Sequence, residues 1–309
     1  MVTTPLDVLK VHPVRKSKKQ KELFREDISN YFCANGYSVS IEEGLFGARN
    51  IVVGSPNSAQ YVVTAHYDTP AGMLFPNLIT PCNLSLFLLW QIAVVLLIFV
   101  PTILIGLLVG YLTHNLEVGR MMFETLIHIT TVLMLFGPAN KNNYNDNTSG
   151  VVLVLEMARK LPERLRGKVC FVLFDLEEAG LIGSYSYSRR HKGPTKHQIV
   201  LNADCVGDGD HIMLFPSKKT RKSKAMMRWL KLCNRRVEAK EICLRESGFS
   251  FFPSDQANFP YGVGITALHK AKNGWFYCSK AHTSRDTVLE WKNVEVLSDC
   301  LIQMVSATR

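Results

Sequence analysis

Five short segments of the 309-residue chain carry side chains of the kinds that hold cations and move protons. In chain order they are His66-Tyr67-Asp68-Thr69, Asn145 to Gly150 (NDNTSG), Glu177 to Ser184 (EEAGLIGS), Asn202-Ala203-Asp204, and Ala281 to Thr287 (AHTSRDT). A His two residues before an Asp can ligate a cation while the Asp fixes its tautomer from behind, although the same pair also occurs as a plain hydrogen-bonded turn. Adjacent carboxylates such as Glu177 and Glu178 repel and favour solvent unless a dication is near; one can then ligate while its neighbour accepts a proton. Asp146, ahead of a helical pattern, reads on its own as an N-cap.

These segments need rigid elements behind them. Residues 60–65, 168–175, 198–203 and 262–268 are short, apolar and β-branched, which predicts buried strands. Helical patterns run over 148–161, 180–190, 222–236 and 289–305, and the alternation predicts an α/β domain. Three of the five segments follow or adjoin these strands, where side chains project into a crevice at the strand ends. Residues 17–34 read as a basic amphipathic helix with Leu23, Phe24, Ile28, Tyr31 and Phe32 inward, and the run SKKTRKSK at 217–224 as an exposed loop.

The ordered set HxDT, DNxSG, EExGLxGS, NxD and HTxxDT resembles metallopeptidase family twenty-eight, the co-catalytic zinc aminopeptidases and their glutamate-carboxypeptidase relatives. The resemblance runs from about Arg49 to Thr287, apart from an apolar insert. It implies a three-layer αβα fold with a mixed, mostly parallel central sheet. It also implies that His66, Asp146 and Asp204 hold one zinc, and that Asp146, Glu178 and His282 hold the other. Glu177 matches the general base that deprotonates a water shared by the cations, and Asp68 the carboxylate behind His66. This N/O donor set suits zinc, with manganese or cobalt possible. The expected activity is an aminopeptidase acting on short peptides; a single-zinc glutaminyl-cyclase-like acyltransferase, or a carboxypeptidase or dipeptidase, are the alternatives. Ala281 and Gln256 replace a Tyr and a His common in relatives, so Tyr277, Tyr261 or a backbone amide is left to stabilise the oxyanion. Asp255 reads as a wall or structural residue, and Asp286 and Thr287 as braces of the His282 loop.

Composition sets the rest. With 47% hydrophobic and 20% charged residues, collagen-like, disordered and disulfide-scaffold classes are excluded. The net charge of +10 is compatible with nucleic acid, anionic lipid or acidic ligands and selects none of them; the motifs point to peptide, not nucleic acid. The 8 cysteines form no CxxC pair, which predicts free thiols in, or facing, the cytosol, and the polar, basic N-terminal stretch gives no sign of a cleaved signal. Leu84 to Leu112 is 29 residues without an acidic residue, Lys, Arg or His, and a poorer apolar segment, 116–137, is interrupted by Arg120, Glu124 and His128. Because His66 and Asp146 flank this block and must meet, an even number of spans is required, so a transmembrane helical hairpin is expected within 84–137. The alternative is a hairpin that folds back as a lid or dimer contact. The chain then divides into 1–83 and 138–309, forming the catalytic domain on the cytoplasmic side of a multi-pass protein, and the insert 84–137 in the bilayer. The oligomeric state is open.

Overall fold

Each residue of three strands, β3 (Tyr61–His66), β4 (Val169–Phe174) and β5 (Ile199–Ala203), is buried, as is most of β9 (Gly262–Lys270). Strands covered on both faces pair in parallel through the crossovers that cover them, and these four do so in the order β4-β3-β5-β9. A computed structural model describes residues 1–307 except 74 and 76, and at 135 the backbone alone. Among the described residues the sheet has ten strands. The others are β1 (Val39–Glu43), β2 (Arg49–Val53), β6 (His211–Pro216), β7 (Arg235–Val237), β8 (Lys240–Leu244) and β10 (Phe276–Tyr277), and the order is β1-β2-β4-β3-β5-β9-β6-β8-β7, with β10 beside β9. Pairing is antiparallel for β1-β2, β2-β4, β6-β9, β7-β8 and β9-β10, so the sheet is mixed and its parallel character is concentrated at the centre.

The helices are α1 (Val8–Val11), α2 (Lys18–Ala34), α3 (Leu84–Leu112), α4 (Leu116–Phe136), α5 (Gly150–Lys160), α6 (Glu163–Arg166), α7 (Ile182–Arg190), α8 (Lys218–Lys222), α9 (Lys224–Lys231) and α10 (Trp291–Ala307). Strand alternation divides the core. Tyr61, Val63 and Ala65 pack with Phe24, Ile28 and Phe32 of α2, the apolar face of α5, and α10; Val62 faces the other way, with Val172, Phe174, Tyr187 of α7 and Phe259. Helices thus cover both faces.

The sequence missed the flanking strands, and three local readings change. Leu23 is 49% exposed because α2 turns Arg25 inward instead. Residues 217–224 are not a plain loop: the hydroxyls of Ser217 and Ser223 accept the amides of Thr220 and Met226, each starting a short helix. The expected helix over 222–236 is therefore α9, followed by strand β7.

Among the described residues, α3 alone is long and apolar enough to cross a membrane. It leaves Leu89, Leu104, Leu107 and Leu108 exposed, an apolar surface far larger than a soluble domain leaves to water. The expected second span begins less apolar: Arg120 of α4 bonds Glu117 at 2.8 Å and Glu124 at 3.4 Å. The two helices approach through glycines. A Cβ on Gly119 would stand 2.5 Å from the Gly106 carbonyl oxygen and 3.0 Å from Gly110 Cα, so only hydrogen fits there. Gly119→Leu is expected to pry α3 from α4 and raise proteolytic nicking of the 113–115 turn several-fold in detergent. Gly167→Ala, at a site with no atom within 4 Å of the added carbon, serves as the unchanged control.

Candidate metal centre

Register brings the chemistry to one edge. His66 ends β3 opposite Phe174 of β4, so Asp175 to Glu178 leave β4 beside it, and Asp204 follows the end of β5, which pairs with β3 on its other side. Side chains from five segments then meet. His66 Nε2 lies 3.3 Å from Asp146 Oδ1 and 3.8 Å from Asp204 Oδ1. His282 Nε2 lies 3.0 Å from Asp146 Oδ2 and 3.3 Å from Glu178 Oε2. Asp146 thus turns one oxygen toward each imidazole. Glu177 also comes within metal-ligand reach of His66 and Asp204.

The supports are hydrogen bonds to backbone. The Asp68 carboxylate accepts the amides of Glu177 (3.1 Å) and Glu178 (3.2 Å), and its Oδ1 stands 3.6 Å from His66 Nδ1. It therefore braces the Glu177 loop as well as His66. Asp286 accepts the amides of Asn145 (2.8 Å) and Asp146 (2.9 Å), so it ties the His282 loop to the Asp146 segment instead of bracing its own loop alone. Asp146 is no helix cap: α5 starts at Gly150, whose amide donates to Asn147 Oδ1. Asn202 donates to Ser254 and Gln256 and accepts from Thr64, locking β5 to the turn that holds Asp255.

Sequence reasoning missed Arg15. It looked like part of a solvated basic run, yet it is fully buried, donating to the carbonyls of His12 and Tyr67 and to Asn143 and Thr148. Only its burial reveals it. Neither candidate oxyanion tyrosine lines the roughly 300 Å³ cavity over the centre, whereas Asn77 does. Tyr261 lies under Lys219, and Tyr277 packs on Trp275.

Electrostatics follow from crowding. Burial, reinforced by Asp146 and Asp68, pushes Glu178 up to about 8. Burial, with Glu178, Asp255 and Asp204 nearby, holds Glu177 well above the carboxylate range. Burial also raises Asp255 to about 7, with Asp68 and Asp204 adding to the effect. Burial opposes charge on His282, but Glu178 and Asp146 lift it to about 10. Cys205 reaches toward Asp146 and Asp204, yet its contact with Cys278 and its burial keep it a thiol.

Two outcomes follow. Glu178 (about 8 against 4.5) and His282 (about 10 against 6.5) bind protons more tightly in the folded chain than in the unfolded one. Their stabilisation is complete below the unfolded values and is lost as pH rises through the folded ones. The melting temperature of the metal-stripped protein should therefore fall between about pH 5 and about pH 9, and added zinc should flatten the profile. Asp286→Ala should weaken zinc retention by about 10- to 100-fold in a chelator competition, and Asp286→Asn by less.

No curated protein matches the chain. Among solved structures, a leucine aminopeptidase precursor from Bacteroides thetaiotaomicron VPI-5482 superposes with TM-score 0.60 at 14% identity, over 99% of this chain and 97% of that one. Tannerella forsythia glutaminyl cyclase gives 0.60 at 13% identity, over 99% and 98%. Legionella pneumophila LapA aminopeptidase gives 0.58 at 13%, over 98% and 67%. At these identities the likeness establishes a shared fold. The sequence profile of Peptidase family M28 matches residues 128–305, more than half of the chain, and with the strand-end cluster in place the chain belongs to that family.

Proposed function

We propose that the chain is a zinc-dependent exopeptidase, an aminopeptidase acting on short peptides, tethered to a membrane by α3 and α4. The observation that carries this reading is the meeting of His66, Asp146, Glu178, Asp204 and His282 from separate segments, with Glu177 beside them. The residues fit two dications. The nitrogen–oxygen separations of 3.0 to 3.8 Å bracket the roughly 3.3 Å between ligands of a tetrahedral ion with bonds near 2.0 Å. The buried Glu178 Oε1 has no hydrogen-bond partner among the described residues. His66, Asp146 and Asp204 would hold one zinc, and Asp146, Glu178 and His282 the other, with manganese or cobalt as possible substitutes.

Zinc, when bound, lowers the pKa of a water ligand toward neutrality and polarises the scissile carbonyl. Glu177 accepts the proton of the attacking water and delivers it to the leaving amine. Burial and the neighbouring carboxylates raise its proton affinity, which strengthens it as the acceptor of that proton. Asp68 positions the two by holding His66 and the Glu177 amide together. Carboxylates crowd the site closely enough to raise one another's proton affinity at Glu177, Glu178 and Asp255, an environment that favours a cationic substrate α-amine. The same fold serves glutaminyl cyclases; the completeness of both ligand sets favours hydrolysis at two metals over their single-zinc chemistry.

His66 precedes the hairpin, Asp146 follows it, and the two stand 3.3 Å apart, so an inserted hairpin has to return to the side it left. The apolar surface of α3 supports insertion, and the basic, thiol-bearing remainder supports a cytoplasmic catalytic side. Glu177→Gln should retain zinc and lose about 10²- to 10⁴-fold in kcat on unblocked aminoacyl substrates. Cleavage of N-acetyl-blocked peptides only would move the assignment to a carboxypeptidase.

A further inference from the structure

A cavity of about 420 Å³ opens between the first turns of α2, the loop joining β1 to β2, and Leu176. Lys16, Lys18, Lys21, Arg25 and Arg49 line it against only two carboxylates, Glu43 and Asp175. Those two are engaged: Lys21 Nζ is 2.7 Å from Asp175, and Arg49 Nη2 is 3.2 Å from Glu43. Arg25 is different. It is 6% exposed, its Nη1 donates to the Tyr67 hydroxyl at 2.9 Å, and among the described residues no carboxylate lies within ion-pair distance of it. Lys18, at the start of α2, likewise makes no ion pair among the described residues. A buried guanidinium that faces open space with one neutral partner favours an anion there, and its planar fork matches a carboxylate.

The cavity adjoins the metal centre. A smaller space of about 220 Å³ shares Lys16, Lys21 and Leu176 with it and has Asp68 and Glu178 on its other wall. Glu178 in turn lines the cavity over the centre. Shared lining residues thus make the three spaces neighbours, from His282 to Arg25.

We propose that this basic cavity takes a carboxylate of the peptide substrate beyond the scissile bond, so that the enzyme favours short peptides that bear one within reach. This rests on the exopeptidase reading. Arg25 is the anchor, and Lys18 supplies attraction at the rim.

The test uses full-length, zinc-loaded protein in detergent with the tripeptide Leu-Ala-Glu and its uncharged counterpart Leu-Ala-Gln-amide, while Leu-Ala-Glu-amide and Leu-Ala-Gln tell a side-chain carboxylate from the C-terminal one. The wild type is expected to favour the acidic peptide by about tenfold or more in kcat/KM, with the difference in KM. Arg25→Met and Lys18→Glu should bring the ratio toward one. Lys18 lies on an exposed first turn, so its variant tests the idea even if Arg25→Met does not fold. Turnover of both peptides at equal efficiency by the wild type would overturn the acidic subsite alone, as would a preference that survives Lys18→Glu. Turnover of neither would overturn the exopeptidase reading and this one together.

Discussion

The carboxylate of Asp146 stands between two imidazoles that come from opposite ends of the chain, His66 at the end of β3 and His282 in the loop after β10. A buried anion in that position is tolerated because positive charge flanks each oxygen, and burial notwithstanding, the two rings hold its pKa well below the carboxylate range. Much of the architecture serves to keep that alignment. The parallel strands deliver His66, Glu178 and Asp204 to one edge, and the Asp286 carboxylate fixes the backbone of Asp146 from the far side.

The loops that carry these groups are held in an unfavourable backbone state. Leu176, Cys205 and His282 have φ of 56°, 57° and 63°, the left-handed region that side-chain-bearing residues seldom occupy. Each is next to a site residue or is one itself. The strain persists because surrounding bonds over-determine the chain. Asp68 accepts the two amides after Leu176, and the Cys205 amide donates to Asn147, one residue from Asp146. Hydrogen bonds to ionised acceptors contribute about 1.5 to 3 kcal/mol each, enough to offset one such residue.

The central strands were legible because they are continuously apolar and buried on both faces, a pattern that survives without tertiary context. The edge strands β1 and β7 were not, since half-exposed, charged strands such as Val39–Glu43 carry little hydrophobic signal. The candidate ligands were legible as residue types in order, and Asp68 as the carboxylate behind His66, but the long-range supports were not. Arg15 and Arg25 sit in a lysine-rich stretch whose composition gives no sign of burial, yet the Arg15 guanidinium lies 5.5 Å over the Phe24 ring and both arginines are buried. The target of Asp286 was hidden for a similar reason: its partners, Asn145 and Asp146, lie some 140 residues away in sequence.

The apolar hairpin is built into the site. Phe87, in the first turn of α3, lines the cavity over the centre, and Phe136, the last residue of α4, lines the neighbouring space that leads to the basic cavity. Phe251 stacks edge-on against Phe87 at 5.2 Å, and its amide donates to the Pro81 carbonyl, so the loop before Asp255 is fastened to the hairpin's root. Both helix ends that meet the catalytic part are therefore walls of the spaces proposed to take the substrate. On the proposed insertion, the path opens at the depth where headgroups meet water, and a peptide approaches along that interface. A lysine-rich rim beside an apolar root suits such an approach, because anionic groups are drawn to the basic cavity while the rest of a short peptide lies against Phe87 and Phe136.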